Sequence, residues 1–295
     1  MQNTIFTGSG VALVTPMNAD GGINYPLMSE LIERQIKGGT SALIICGTTG
    51  EASTMSDEEH IECIRFAAEK SAKRVPIIAG TGSNDTAYMV DLSIRAEKAG
   101  ADALLLVSPY YNKASQKGLV KHFGAVADRV NIPIMLYNIP SRAVVNIELN
   151  TFKELAEYPN IKAVKESGGN VAYFSTLINE SGLDVYSGDD YMNVPVLALG
   201  GKGVVSVMAN VVPEVVHKIC TLCLENNVLE AGRLNQKYAR FMYTDGLFMD
   251  VSPVPVKHAL KLMGIDVGST RLPLCDMDES KIEKLKAEML KIGLL

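Results

Sequence analysis

No stretch of this sequence approaches the roughly 20 consecutive apolar residues that cross a bilayer, so a membrane-spanning helix is excluded. Nor is there a basic cluster or a basic excess: 28 Lys and Arg stand against 33 Asp and Glu, a formal net charge of −5. A mildly acidic chain of this kind does not match the phosphate backbone, so no nucleic-acid partner is expected. Cysteine is scarce and odd in number: Cys46, Cys63, Cys220, Cys223 and Cys275. In a chain of 295 residues that pattern predicts free thiols in a reducing, cytoplasmic setting. Cys220 and Cys223 form a single CxxC without a second pair or a nearby His pair. Two small apolar residues on one helix face explain it better than zinc or redox use, and no metal is expected. Residues 1–10 have neither a charged start nor a long apolar core, so no export signal is expected.

Hydrophobic residues, by contrast, make up 47% of the chain, ample for a large core. They are organised in a recurring pattern. Short, nearly all-apolar runs lie at 10–16, 42–47, 76–80, 103–109, 133–138, 161–166, 184–188 and 203–209, each ending near Gly, Pro, Ser or Thr. Such runs suit parallel strands buried on both faces. Helical spacing occupies the gaps, at 25–38, 56–72, 86–99 and 117–128 among others. The second opens with Ser56 and Glu59, a capping-box pair. Eight strand–helix units at intervals of roughly 30 residues predict a (β/α)8 TIM barrel. A doubly wound sheet is the competing arrangement, but no GxGxxG follows the first strand. Further helices at 213–225, 228–245, 254–263 and 280–291 exceed what the barrel needs. They predict a small C-terminal helical extension packed on the barrel, with residues 1–223 as the catalytic barrel and 224–295 as the extension.

In this fold the reacting groups sit where strands end. Lys165 closes the run 161–166, and alternation places Ile161, Ala163 and Lys165 on one face. A buried ammonium is costly unless paired or functional, and desolvation favours the neutral amine, which attacks carbonyls. The plainer alternative is a lysine that reaches from the strand end to solvent. Tyr137 ends the fifth run and offers a phenol for proton transfer, or simply a packed ring with a satisfied hydroxyl. Gly47-Thr48-Thr49-Gly50 forms a turn whose amides and hydroxyls suit a carboxylate, or an ordinary glycine turn. Arg142 follows a Pro-containing turn and suits bidentate carboxylate binding, or a surface position.

Several motifs then occur in order along the whole chain. They are Gly8-Ser-Gly-Val-Ala, Gly47-Thr-Thr-Gly-Glu51, Gly80-Thr-Gly-Ser-Asn84, Tyr137-Asn-Ile-Pro140, Val164-Lys-Glu166 and Ser187-Gly-Asp-Asp190. Gly200-Gly-Lys-Gly203, Pro255-Val-Lys257 and Arg271-Leu-Pro273 complete the series. In these motifs the chain resembles the dihydrodipicolinate synthase family, pyruvate-dependent class I aldolases related to N-acetylneuraminate lyase.

The resemblance implies a lyase of lysine and diaminopimelate biosynthesis that condenses pyruvate with L-aspartate 4-semialdehyde. Lys165 would form the Schiff base with pyruvate, so that no metal or organic cofactor is needed. Tyr137, Thr49 and Tyr111 would relay protons, Tyr111 being lent by a neighbouring subunit of a homo-oligomer, a tetramer built as a dimer of dimers. Thr48 and Thr49 would hold the pyruvate carboxylate, Arg142 would recognise the semialdehyde, and Gly188 and the carbonyl of Val205 would line the pocket. His60, Asn84 and Tyr110 match an allosteric lysine pocket, but Asp57 and Tyr88 stand where relatives carry a His and a Glu, which predicts weak or absent lysine inhibition. Thr49 and Arg142 favour the synthase over the sialic-acid lyase. Ala143-Val144 replace the usual Thr-Gly after the arginine and leave another sugar-acid aldolase open as the alternative. A barrel without activity would be expected to lack Lys165 or Tyr137, and both are present.

Overall fold

The computed structural model describes residues 4–243 and 245–295; the first three residues of the segment 1–10 and Thr244 of the predicted helix 228–245 lie outside it. Eight strands form a closed barrel in sequence order: β1 (Gly8–Ala12), β2 (Ala42–Ile45), β3 (Ile77–Gly80), β4 (Ala103–Val107), β5 (Ile134–Asn138), β6 (Ile161–Glu166), β7 (Asp184–Ser187) and β8 (Gly203–Ser206). All pairs are parallel, including β8 with β1, so no edge is left open. Helices α1 (Tyr25–Lys37), α2 (Asp57–Ser71), α3 (Thr86–Lys98), α4 (Gln116–Ala127), α5 (Pro140–Ala143), α6 (Leu149–Leu155), α7 (Val171–Glu180), α8 (Asn193–Ala198) and α9 (Pro213–Leu224) follow the strands. After them come α10 (Val228–Lys237), α11 (Ala239–Met242), α12 (Val254–Leu262) and α13 (Glu279–Ile292). The expected TIM barrel with additional C-terminal helices is therefore the fold. None of the described helices is long and apolar enough to cross a membrane.

Local chemistry explains why the elements fall where they do. Ser56 accepts from the Glu59 N–H while the Glu59 carboxylate accepts from the Ser56 N–H, so the expected capping box starts α2. Asn24, Asp85, Ser115 and Asn170 cap α1, α3, α4 and α7 in the same manner. The core forms two layers. Val11, Leu43, Leu104, Leu136 and Val164 face the helices, and Ala42, Ile44, Ile78, Leu105, Met135 and Ala163 fill the interior. Each buried aliphatic side chain contributes about 1.5–3 kcal/mol. At the strand N-termini Phe6 stacks at 4.6 Å on Tyr186, whose hydroxyl donates to the Phe6 carbonyl. A side chain at Gly10 would come within 2.8 Å of the Phe6 ring, so glycine makes room for this floor.

Three expectations need correction. The first strand covers Gly8–Ala12 rather than 10–16, because Val14 turns its N–H to the Asn210 side chain instead of a strand. The predicted helix 228–245 breaks at Tyr238 into α10 and α11. Leu247 N–H then folds back to the Phe241 carbonyl, a reversal that the bare backbone of Gly246 permits. Ile161 does not share a face with Ala163: the β5–β6 register shifts at Ile134/Met135, which sends Ile161 outward and leaves Ala163 and Lys165 inward.

Candidate active site

The register that turns Ala163 inward brings Lys165 to the C-terminal mouth of the barrel, paired with Tyr137 across β5 and β6. Only 6% of Lys165 is exposed, and its ammonium nitrogen lies 4.0 Å from the centre of the Tyr137 ring. At that separation the ring face stabilises a cation. Gly188 continues the inward face of β7. A Cβ there would stand 2.7 Å from Lys165 Cε and 1.9 Å from Ser167 Oγ, so glycine is required for the lysine stem to pass.

One small cavity gathers the sequence-predicted residues Thr48, Thr49, Tyr137, Arg142, Lys165 and Gly188. Thr49 is buried and Thr48 exposed on the turn after β2, closed by N–H groups of Gly50 to Gly47 and Glu51 to Thr48. Arg142 rides on α5 and donates to the Ser252 carbonyl at 3.4 Å. Val205 is fully buried in the barrel interior; Val207, two residues on, lines the cavity. Tyr111 stands apart: it is 89% exposed, at a left-handed φ of 74°, and does not line this cavity.

The remaining candidates lie in or beside a second cavity of about 410 Å³ that shares Thr48, Tyr137, Arg142 and Ser252 with the first. His60 and Tyr110 line it. His60 is buried, which depresses its basicity, and its Nε2 lies 2.8 Å from the Gly80 carbonyl. Asn84 donates to the Tyr110 carbonyl. Tyr88 donates to Asp57 at 2.7 Å and Arg95 reaches the other oxygen at 3.2 Å, which together hold the Asp57 carboxyl below its usual range.

Two acids escaped sequence reading. Asp189 lines the small cavity beside Lys165, and burial pushes its pKa up to about 6 against the opposing pull of the Lys165 charge. Glu166, on the opposite face from Lys165, accepts from Asn138 Nδ2 at 2.8 Å and from the Gly168 N–H at 2.6 Å. Burial nonetheless pushes it up to about 7. Asn138 also ties Asn146 and the Ile147 N–H, so this group braces the loop that carries Arg142. Strand alternation points to Glu166 as buried; nothing local in the sequence separates Asp189 from Asp190, whose carboxylate is spent on Ser206 and the N–H groups of Val207 and Met208.

A third feature joins distant parts of the chain. Glu51, at a left-handed φ of 60° directly after the threonine turn, forms a 2.5 Å ion pair with Lys257 of α12, the two side chains being 2% and 3% exposed. The Arg271 N–H donates to the other Glu51 oxygen at 2.9 Å, and the Arg271 guanidinium holds Glu59, Thr54 and Gly21. Lys257 and Arg271 belong to motifs noted in the sequence, which gave neither a partner.

The sequence profile of the dihydrodipicolinate synthetase family matches residues 5–292. A 4-hydroxy-tetrahydrodipicolinate synthase of Acetivibrio thermocellus is 51% identical over the full length of both chains. The same enzyme of Lachnoclostridium phytofermentans is 50% identical over 99% of each. The crystal structure of a chloride-inhibited dihydrodipicolinate synthase from Acinetobacter baumannii, complexed with pyruvate, superposes with a TM-score of 0.95 at 41% identity, covering 99% of this chain and all of the other. The dihydrodipicolinate synthase of Aquifex aeolicus gives 0.95 at 41% identity over 98% and 99%.

Proposed function

The chain belongs to the dihydrodipicolinate synthetase family, and from that premise we propose how its residues condense pyruvate with L-aspartate 4-semialdehyde. The reaction is that of a 4-hydroxy-tetrahydrodipicolinate synthase, a lyase of lysine and diaminopimelate biosynthesis. It runs through a covalent imine with pyruvate and needs no added cofactor. The observation that carries the assignment of roles is the buried amine of Lys165, set over the Tyr137 ring in a cavity it shares with the threonine turn.

In this reading Thr48 and Thr49 hold the pyruvate carboxylate and present the C2 carbonyl to Lys165. The amine adds to C2, and water leaves to give the imine. The cationic imine draws electrons from the methyl group, which gives up a proton to become an enamine. Tyr137 carries protons in these steps, relayed by Thr49 and by Tyr111 of a neighbouring subunit. Arg142 grips the semialdehyde carboxylate, and the enamine carbon attacks the aldehyde. The amino group of the second substrate then displaces Lys165, closing the ring and freeing the enzyme; one water is lost overall. Gly188 and the Val205 carbonyl shape the pocket. The assembly is a homotetramer in this proposal, residues 1–223 form its catalytic barrel with 224–295 as the helical extension, and it works in the cytoplasm, where its five free thiols are at home.

The test is chemical trapping. Incubation with pyruvate, borohydride reduction and peptide mapping are expected to place a stable mass gain on Lys165, absent in Lys165→Ala. Folded protein without an adduct, alongside a working control aldolase, would reject the imine mechanism.

A further inference from the structure

We propose that Lys257 is a positioning residue for the pyruvate-carboxylate turn, cancelling the charge of Glu51 beneath it; this deepens the functional reading above and rests on it. Glu51 is joined to the turn by its own N–H, which donates to the Thr48 carbonyl, and Glu51 and Thr48 line the same cavity. Among the described residues lining that larger cavity Glu51 is the one carboxylate; in the smaller cavity, beside Lys165, the carboxylate is that of Asp189. Left alone it would set a buried negative charge three residues from the hydroxyl of Thr48 and work against an anionic substrate. Repulsion between two anions is strong where water is scarce.

The structure supplies the opposite charge from far along the chain. Lys257 projects from α12 and meets Glu51 at 2.5 Å, with both side chains out of solvent, while its ammonium also donates to the Ser269 carbonyl at 3.2 Å. Burial pulls the Lys257 pKa down and the Glu51 charge pulls it back up. Two further charges face the pair: Asp276 adds to the upward pull on Lys257 and Arg271 opposes it, while the Arg271 guanidinium binds Glu59 and gives Glu51 only its backbone N–H. The turn therefore sits on a neutral pair, and α12 is the element that keeps it neutral. The same C-terminal segment supplies Ser252 to Arg142, so both carboxylate sites lean on it.

This account has a signature that simple structural support lacks, because the two halves of the pair act with opposite sign on an anion. Lys257→Met leaves Glu51 unopposed and is expected to raise the KM for pyruvate about tenfold or more with kcat changed less than about threefold. Glu51→Gln leaves a cation and is expected to hold that KM within about threefold of the parent or lower it. The double variant Lys257→Met with Glu51→Gln is expected to return KM to within about threefold. Equal rises in the two single variants, or a Lys257→Met variant whose KM is unchanged, would overturn the proposal. Should Lys257→Met not fold, Lys257→Arg, which keeps the charge, is compared with the double variant; the proposal stands if both retain the parent KM and falls if either loses it. Borohydride trapping of the parent on Lys165 is run alongside. A trapped parent with symmetrical variants sinks the positioning role alone, and an untrapped parent sinks the functional reading with it.

Discussion

Glu166 shows how much one residue's surroundings decide. It follows Lys165 on β6 but faces away from the cavity, buried against Asn138 and the Gly168 N–H. Its carboxyl titrates near 7 in the folded chain, while an unfolded chain ionises it in the ordinary range near 4.3. Below both values the group has no effect. As pH rises through that window the unfolded state releases its proton first, so stability falls, by up to about 4 kcal/mol, and levels off above about pH 7. Thermal unfolding of Glu166→Gln between pH 5 and pH 8 is expected to show a smaller loss than the parent; equal losses would remove Glu166 as the cause. Asp189 acts in the same direction and stays in the variant. At this scale the sequence was most legible where alternation applied. Lys165 could be assigned to the face of Ala163 from the run it closes. The Glu51–Lys257 pair could not, because its partners are remote in the chain and nothing in either neighbourhood announces the other.

Elements were legible where caps and apolar runs agreed, as at Ser56 and α2. They slipped where glycine stood in for apolar residues. β1 starts at Gly8, two residues before the predicted run, and Gly10 leaves space for the Phe6 ring, a packing demand invisible in the local pattern. The break after α10 is likewise set by the path back past Phe241. Pairing between elements also bears on the expected response to lysine. Asp57 opens α2 and is already held by Tyr88 and Arg95 of α3, and Glu51 is held by Lys257. An incoming lysine ammonium meets no free carboxylate among the described residues lining the larger cavity. Lysine is therefore expected to inhibit only above about 1 mM, a binding free energy weaker than about 4 kcal/mol. A sub-millimolar inhibition constant from steady-state rates would contradict this.

At the scale of the whole molecule the eightfold strand–helix rhythm made the barrel readable from the sequence, whereas the assembly was not. Tyr111 is the residue proposed to connect the two. A large ring held almost wholly in solvent, on a left-handed backbone position, stabilises nothing within its own chain. Its proposed place is a neighbour's proton relay. Tyr111→Phe is expected to lower turnover about tenfold or more without shifting the unfolding midpoint. Light scattering of the parent is expected to give a mass at least twice the 31.8 kDa of one chain. Unchanged turnover would take Tyr111 out of the relay, and a monomeric parent with full activity would take the neighbour out of the reaction.

The rings of Phe6 and Tyr186 stack in the barrel interior, Tyr186 being the register partner of Lys165 on β7. Below that level buried side chains fill the barrel, so in the proposed reaction the molecule is a vessel loaded and emptied through the mouth at the strand C-termini. Lys165 is buried and Arg142 exposed, so in the proposed reaction the keto acid is loaded before the aldehyde settles above it. In that proposal an aldehyde that arrives first corks the vessel, and steady-state rates are expected to fall at high aldehyde concentration.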